Sequence, residues 1–243
     1  MSQVESKPLQ KLRNRIEQEK QNLQILDVAL LGAHKISAKE SGSLAKVLGY
    51  DESKYDQLHI PANQSPRLLA QAKNANYKAA IINLYSLWTD YMRGILALLY
   101  ETNPHQIAQK SPGEIKYSEI ISLGDYESIK MKICDNVFRA LENERSTSKL
   151  LDKIIRHTNI SIKNDIKTNA LAYLEMRHLF IHNSGRVDAK FKKNYGSAID
   201  CTIDWKLPTR FFIVENAFNA VILLCQEVDK SLLSGNYIKS RAG

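Results

Sequence analysis

Cysteine is scarce in this chain, and its three copies lie far apart. Cys134, Cys201 and Cys225 form no CxxC pair, and their separations suit neither a zinc site nor a disulfide framework. Cys134 and Cys225 fall at apolar helical spacing, which is typical of small core residues. The cysteines therefore predict no metal or redox centre.

Glycine and proline are also few, with ten and six copies in 243 residues. Together with 44% hydrophobic residues, this favours a helical globular protein over a disordered one. The chain has no glycine-rich phosphate loop and no GxSxG motif, which argues against NTP hydrolysis and against an α/β-hydrolase.

Acidic residues are outnumbered by basic ones, 26 to 34, which gives a net charge of +8 and favours polyanionic partners such as RNA. No long hydrophobic run is uninterrupted by charge: the most apolar window, 79–100, contains Asp90 and Arg93. The first fifteen residues are polar and lack the apolar stretch of a signal peptide. We therefore expect a cytoplasmic protein without a membrane span.

The spacing of apolar residues predicts an all-α fold, an up-and-down helical bundle. Its first long helix starts at Ser65 as an N-cap and reaches about Tyr100, with a break predicted near 74–76. An N-terminal helix with a narrow apolar seam would pack on the bundle or on a partner, and we favour the bundle. The predicted parts are an N-terminal helix (1–34), a loop-rich connector (35–64), a helical domain (65–235) and a basic tail (236–243).

A small extended or β insertion is expected near 197–213, inside the helical domain. Ile199, Cys201, Ile203 and Trp205 alternate there with polar residues. That period of two predicts a short strand or an extended arm.

The most informative residues for function are Arg177 and His182, five positions apart at the end of a predicted apolar helix. Burying either side chain there costs free energy unless it has a hydrogen-bonding or ionic partner, so their presence suggests a function. An imidazole moves protons near neutral pH, and a guanidinium stabilises negative charge developing on a phosphate. The pair is thus sufficient to cleave RNA without a metal, through attack of a 2′-hydroxyl on the adjacent phosphorus.

Geometry sets a condition on this chemistry. Five residues along an ideal helix turn through roughly 500°, so the two side chains would point about 140° apart. They can act together if the helix ends at His182, or if two copies of the helix share a cleft.

Neighbouring residues offer candidate support. His178 lies one turn before His182, and Asn183 can bind a phosphate or orient the imidazole. Arg186 and Lys190, followed by Lys192 and Lys193, would guide an RNA backbone or simply form a solvated face. Asp90 would pair with Arg177 or face solvent. The supporting or RNA-binding candidates are thus Glu175, His178, Asn183, Arg186, Lys190 and Asp90.

Two alternatives compete with this interpretation. His178 and His182 also have the spacing of two zinc ligands, but Leu179 stands where HExxH helices carry glutamate, and no third ligand is nearby. We therefore expect no metal and no cofactor. Arg177 and His182 can also be structural, as an ion-paired arginine and a histidine that favours the helix macrodipole.

The segment from Glu175 to Asp188 (EMRHLFIHNSGRVD) resembles the active-site strip of the HEPN superfamily, and in particular its RiboL-PSP-HEPN-like branch. That strip carries Arg-x4–6-His at the end of a bundle helix, with a polar residue after the arginine. Arg177, His178 and His182 match it. The resemblance implies an HEPN-like bundle over about 65–235.

The resemblance to the HEPN strip also implies an endoribonuclease of a bacterial toxin–antitoxin or phage-defence system. Arg177 and His182 of two protomers would line one groove of a homodimer. The products would carry 2′,3′-cyclic phosphate and 5′-hydroxyl ends. Ser184 stands where some of these toxins have a modified tyrosine, so that form of control is not implied. An antitoxin or regulatory protein is an expected partner. The alternative is a catalytically silent dimeric module that binds RNA, a nucleotide or a protein.

Overall fold

The computed structural model describes residues 5–37, 41–51, 53–102, 114–142 and 147–240. These residues confirm the predicted fold class, because they form an all-α helical bundle. The described helices are α1 (Lys7–Ser37), α2 (Leu44–Val47), α3 (Ser65–Thr102), α4 (Tyr117–Leu123), α5 (Tyr126–Glu142), α6 (Thr147–Thr158), α7 (Asn164–His182), α8 (Ala189–Tyr195) and α9 (Phe211–Ser234).

Helix α1 lies antiparallel to α3 along its whole length. Pro8 of α1 packs onto Gly94 of α3, where an added Cβ would come within 2.8 Å of the proline ring. Polar pairs follow the interface from one end to the other: Arg15 with Asp90, Glu19 with Asn83, Asp27 with Tyr77 and Ser37 with Ser65. The N-terminal helix thus packs on the bundle itself.

Helix α9 completes the core together with α1, α3 and α7. The hydroxyl of Tyr91 in α3 donates a 2.9 Å hydrogen bond to the carbonyl of Cys225. By length and composition α9 is long and apolar enough to cross a membrane, a test that a core helix also passes. Its inner face is buried in the bundle, through residues such as Val214, Phe218, Val221, Leu224 and Leu232.

The predicted break near 74–76 is wrong, because α3 runs without interruption from Ser65 to Thr102. Tyr77, Ile81 and Leu84 are buried in the core directly after the asparagines, and this packing carries the helix through a segment of weak propensity. Ser65 is itself helical and follows a 3-10 turn, Ala62–Gln64, so it is not the N-cap that the sequence predicted.

Residues 199–210, hereafter called the arm, do not form the predicted strand. The arm is irregular and makes one isolated antiparallel bridge, between Arg186 and Lys206. The alternating pattern misleads because its members do not share a buried face: Cys201 is buried, whereas Trp205 is 71% exposed. The segment is irregular backbone with a turn, in which the N–H of Trp205 donates to the carbonyl of Thr202, in place of a β-strand.

Two sequence predictions fall outside the described structure. The last three residues of the basic tail, 241–243, lie beyond the described residues, as does the side chain of Cys134. Within the described part, Cys225 is buried as predicted, and Ile238 at the start of the tail is buried against the core.

Candidate functional site

The helix α7 ends at His182, which meets the first of the two geometric conditions. The N–H groups of Asn183 and Gly185 donate to the carbonyl of Leu179 at 2.9 and 2.8 Å, closing the last turn. Gly185 has φ +78°, a conformation that favours glycine. The chain then reverses and pairs with the arm, so the helix terminus is fixed on both sides.

An open groove of about 1130 Å³ lies beside this terminus. Both Arg177 and His182 line it, together with His178, although the first two lie five residues apart on α7. The other residues of the groove come from α3, α6, α7 and α8: Tyr85, Ser148, Lys149, Lys167, Thr168, Leu171, Glu175, Leu179, Asp188, Lys190, Phe191, Asn194 and Tyr195. Four separate helices therefore build one accessible site.

Arg177 is half-buried and is held by an aromatic ring. Its guanidinium carbon lies 3.9 Å from the centre of the Tyr85 ring, a cation–π contact. Within the described ranges no carboxylate is ion-paired with Arg177, so its charge stays available to a ligand. A planar guanidinium resting on a ring can still direct its N–H groups at phosphate oxygens.

His182 is exposed at the helix terminus, next to the ring of His178. The two ring centres are 4.8 Å apart with the planes tilted by 48°. An exposed imidazole at this position can exchange protons with solvent and with a substrate hydroxyl. His178 thus lies where the sequence placed it, one turn away on the same face.

Glu175 and Tyr195 also line the groove. The hydroxyl of Thr147 donates to the Glu175 carboxylate at 2.6 Å. Burial, with a smaller contribution from the Glu175 charge, raises the pKa of Tyr195 to about 12. The phenol therefore keeps its proton at physiological pH and can donate a hydrogen bond to an anion.

The remaining charges of the groove favour an anionic ligand. Lys149, Lys167 and Lys190 line it in addition to Arg177. Lys167 also bonds Asp152 at 2.6 Å, which offsets part of its charge. Of the two acids that line the groove, Asp188 is committed to capping α8, where it accepts from the N–H of Phe191 at 2.7 Å. The cations thus outnumber the acids.

Three predicted supporting residues do not line the groove. The Asn183 amide donates to the carbonyl of Arg186 at 2.7 Å and closes the turn. Arg186 donates to the carbonyl of Asp204 and lies on the arm side of that turn. Asp90 pairs with Arg15 at 2.6 Å, and Arg177 contacts Tyr85 in its place.

The sequence did not identify several groove residues. Tyr85 belongs to the apolar stripe of α3, and that pattern predicts a core residue. Lys149, Lys167 and Tyr195 also line the groove, but they are not part of any local sequence motif. Only packing brings these positions to Arg177. Among the described residues there is no group of three or more histidine, cysteine or acidic side chains that could hold a metal ion.

Comparisons of the chain with models of protein families, with curated proteins and with solved structures find no match. The functional conclusion therefore depends on the residues of the groove and on their geometry.

Proposed function

We propose that this chain is a metal-independent endoribonuclease of a bacterial defence or toxin system. The observation that carries the proposal is that Arg177 and His182 line the same open groove at the terminus of α7. A guanidinium charge without an acidic partner in the described residues and an exposed imidazole are the two groups that RNA self-cleavage requires.

In the proposed reaction RNA supplies its own nucleophile. The imidazole of His182 takes the proton of the 2′-hydroxyl, and the 2′-oxygen forms a bond to the adjacent phosphorus. The bond from phosphorus to the 5′-oxygen breaks, and that oxygen takes up a proton. The products are a 2′,3′-cyclic phosphate and a 5′-hydroxyl end. Arg177 stabilises the negative charge on the non-bridging oxygens.

The active unit in this proposal is a homodimer whose two α7 termini share the groove, in the cytoplasm. A second copy would bring another imidazole, which can protonate the leaving 5′-oxygen while the first removes the 2′ proton. Because uncontrolled RNA cleavage would harm the cell, a regulatory or antitoxin protein is part of the proposal. The resemblance of Glu175–Asp188 to the HEPN strip supports the same assignment.

The test is cleavage of a structured RNA in EDTA, with a copy carrying 2′-deoxy substitutions beside it. The protein should cut the first and leave the second intact. Arg177→Ala and His182→Ala should each lower the rate by about 10²–10⁴-fold while the melting temperature stays unchanged. Equal cutting by the His182→Ala protein would contradict the role of that imidazole in proton transfer.

The second candidate is a catalytically silent module that binds RNA, a nucleotide or a protein in this groove. The stacking of Arg177 on Tyr85 favours it, because a guanidinium fixed in this way binds phosphate whether or not any bond breaks. Saturable binding of RNA without turnover, lost in Arg177→Ala and retained in His182→Ala, would identify this alternative.

A further inference from the structure

Trp205 is an exposed aromatic side chain on a segment that is otherwise fixed. The ring is 71% exposed, whereas Cys201 and Leu207 on either side of it are buried. Trp88, the other tryptophan of the chain, is fully buried in the core. An exposed indole ring offers a large flat surface on which a ligand can stack.

The backbone around Trp205 is held by hydrogen bonds. The carbonyl of Trp205 accepts from the N–H of Val187 at 3.0 Å, and its own N–H donates to Thr202 at 3.1 Å. Leu207 donates to Gly185 at 2.9 Å, and the ammonium of Lys192 donates to the carbonyl of Cys201 at 2.5 Å. A ring on such a backbone offers a fixed surface at small entropic cost to a ligand.

Two cationic residues lie beside Trp205 along the paired backbone. The isolated bridge sets Arg186 opposite Lys206. Lys206 follows Trp205 in the chain, and Arg186 precedes Val187, whose N–H bonds the Trp205 carbonyl. Both cationic residues are exposed. Asp204 is the acidic neighbour. The guanidinium of Arg186 donates to the Asp204 backbone carbonyl at 2.8 Å and retains further N–H donors. An aromatic ring beside such cations is the combination that binds single-stranded nucleic acid.

The backbone of Trp205 also lies close to the groove. Val187, whose N–H bonds the Trp205 carbonyl, directly precedes Asp188, which lines the groove. Asp188 then caps α8, the helix that supplies Lys190 and Tyr195 to the same groove. A strand of RNA bound beside His182 would therefore need to extend by only a few nucleotides to reach Trp205.

We propose that Trp205 is a stacking platform for a nucleobase of single-stranded RNA that flanks the groove, with Arg186 and Lys206 contacting its phosphates. This inference rests on the proposed function, because it takes RNA as the ligand of the groove. Stacking tolerates any base, so the platform adds affinity and sets the position of the strand without reading its sequence.

Tryptophan fluorescence tests this in the His182→Ala protein, which avoids cleavage. Because Trp88 is buried, quenching by a single-stranded oligouridine of about ten nucleotides reports on Trp205. We expect saturable quenching. Binding of a labelled oligouridine, followed by anisotropy, should weaken by about five-fold to a hundred-fold in Trp205→Ala and only slightly in Trp205→Phe.

Tyr117→Ala is the matched control, since that ring is 86% exposed but lies on α4 and does not line the groove. Its binding should equal that of the parent. Absent quenching, or equal binding by Trp205→Ala, overturns the platform. So does a change of oligomeric state in Trp205→Ala at unchanged RNA affinity, which would mark a protein contact. If quenching occurs but the wild type cuts no RNA, the platform stands and the nuclease fails.

Discussion

Arg177 is positioned by the aromatic ring of Tyr85, and an aromatic neighbour affects a guanidinium differently from a carboxylate. A carboxylate partner would neutralise the guanidinium and occupy the N–H groups that a phosphate needs. The Tyr85 ring, 3.9 Å from the guanidinium carbon, restricts the side chain and leaves both its charge and its donors free for a ligand. In the proposed nuclease Tyr85 is therefore a positioning residue.

Replacing Tyr85 tests this role. In Tyr85→Ala the arginine loses its support, and a displacement of about 1 Å is enough to lower kcat by roughly 10²-fold. Tyr85→Phe keeps the ring and should keep kcat within about three-fold, because a cation–π contact needs no hydroxyl. Single-turnover cleavage measures the difference. Equal loss in both variants would show that the hydroxyl, and not the ring, matters.

At the scale of elements, the site depends on where α7 stops. The turn from Asn183 to Val187 ends the helix and pairs the chain with the arm, which allows His182 to share a groove with Arg177. Gly185 makes that turn possible with φ +78° and lies against the ring of Phe180.

Gly185→Ala should therefore lower both stability and activity. The left-handed conformation and a Cβ only 3.1 Å from Phe180 should lower the free energy of unfolding by about 1–2 kcal/mol. Gly32→Ala is the control, because α1 has open space at that position, and it should raise stability by about 0.5–1 kcal/mol. Urea unfolding measures both. Similar shifts in the two variants would contradict the role of the turn.

Helix α1 is tied to α9 by a buried carboxylate. Ser6 caps α1 and donates both its N–H, at 2.9 Å, and its hydroxyl to Asp229. Burial raises the pKa of Asp229, and the hydrogen bonds from Ser6 act in the opposite direction. Folding therefore favours the protonated carboxyl. That contribution is complete below about pH 4 and is lost as the pH rises through the folded-state pKa.

Asp229→Asn removes the titratable group. The free energy of unfolding of this variant, relative to that of the wild type, should therefore rise between pH 3 and pH 7. Urea unfolding across this range measures the trend. Asp125→Asn should show the opposite trend, since hydrogen bonds from Ser128 lower the pKa of that exposed carboxyl. A difference between Asp229→Asn and the wild type that does not change with pH would contradict the assignment.

The sequence predicted most helices because their apolar spacing is local information. It placed Arg177 and His182 at the end of a helix, and it placed His178 one turn before His182 by helical periodicity alone. The break in α3 was wrong because tertiary burial of Tyr77 and Ile81 outweighs the weak helix propensity of the asparagines before them. Tyr85 and Lys167 could not be assigned to the site, since only packing brings α3 and the start of α7 to the groove.

The whole molecule combines a basic charge of +8 with one open groove that draws residues from four helices. In the proposed function this charge would attract RNA from a distance, and the groove would then bind the strand. The proposed pairing of two such molecules doubles the catalytic groups at the site. Symmetry requires that each protomer contribute the same residues to the shared surface.

Mixing two inactive variants tests the shared site. If Arg177 of one protomer acts with His182 of the other within the shared groove, a mixed dimer of Arg177→Ala and His182→Ala keeps one such pair. Random pairing should then restore about a quarter of the wild-type rate, since half of the dimers are mixed and each retains one of two Arg177–His182 pairs. Cleavage rates after co-refolding measure this. No recovery would place both residues of each active site in a single protomer.

The proposed function requires that Arg177 and His182 act on one ribose and its neighbouring phosphate. A DNA oligonucleotide carrying a single ribonucleotide, incubated with the protein in EDTA and analysed by mass spectrometry, isolates this step. We predict one cut, directly after the ribose, with a 2′,3′-cyclic phosphate on one product and a 5′-hydroxyl on the other. Cutting at deoxynucleotides, or an identical cut by the His182→Ala protein, would contradict it.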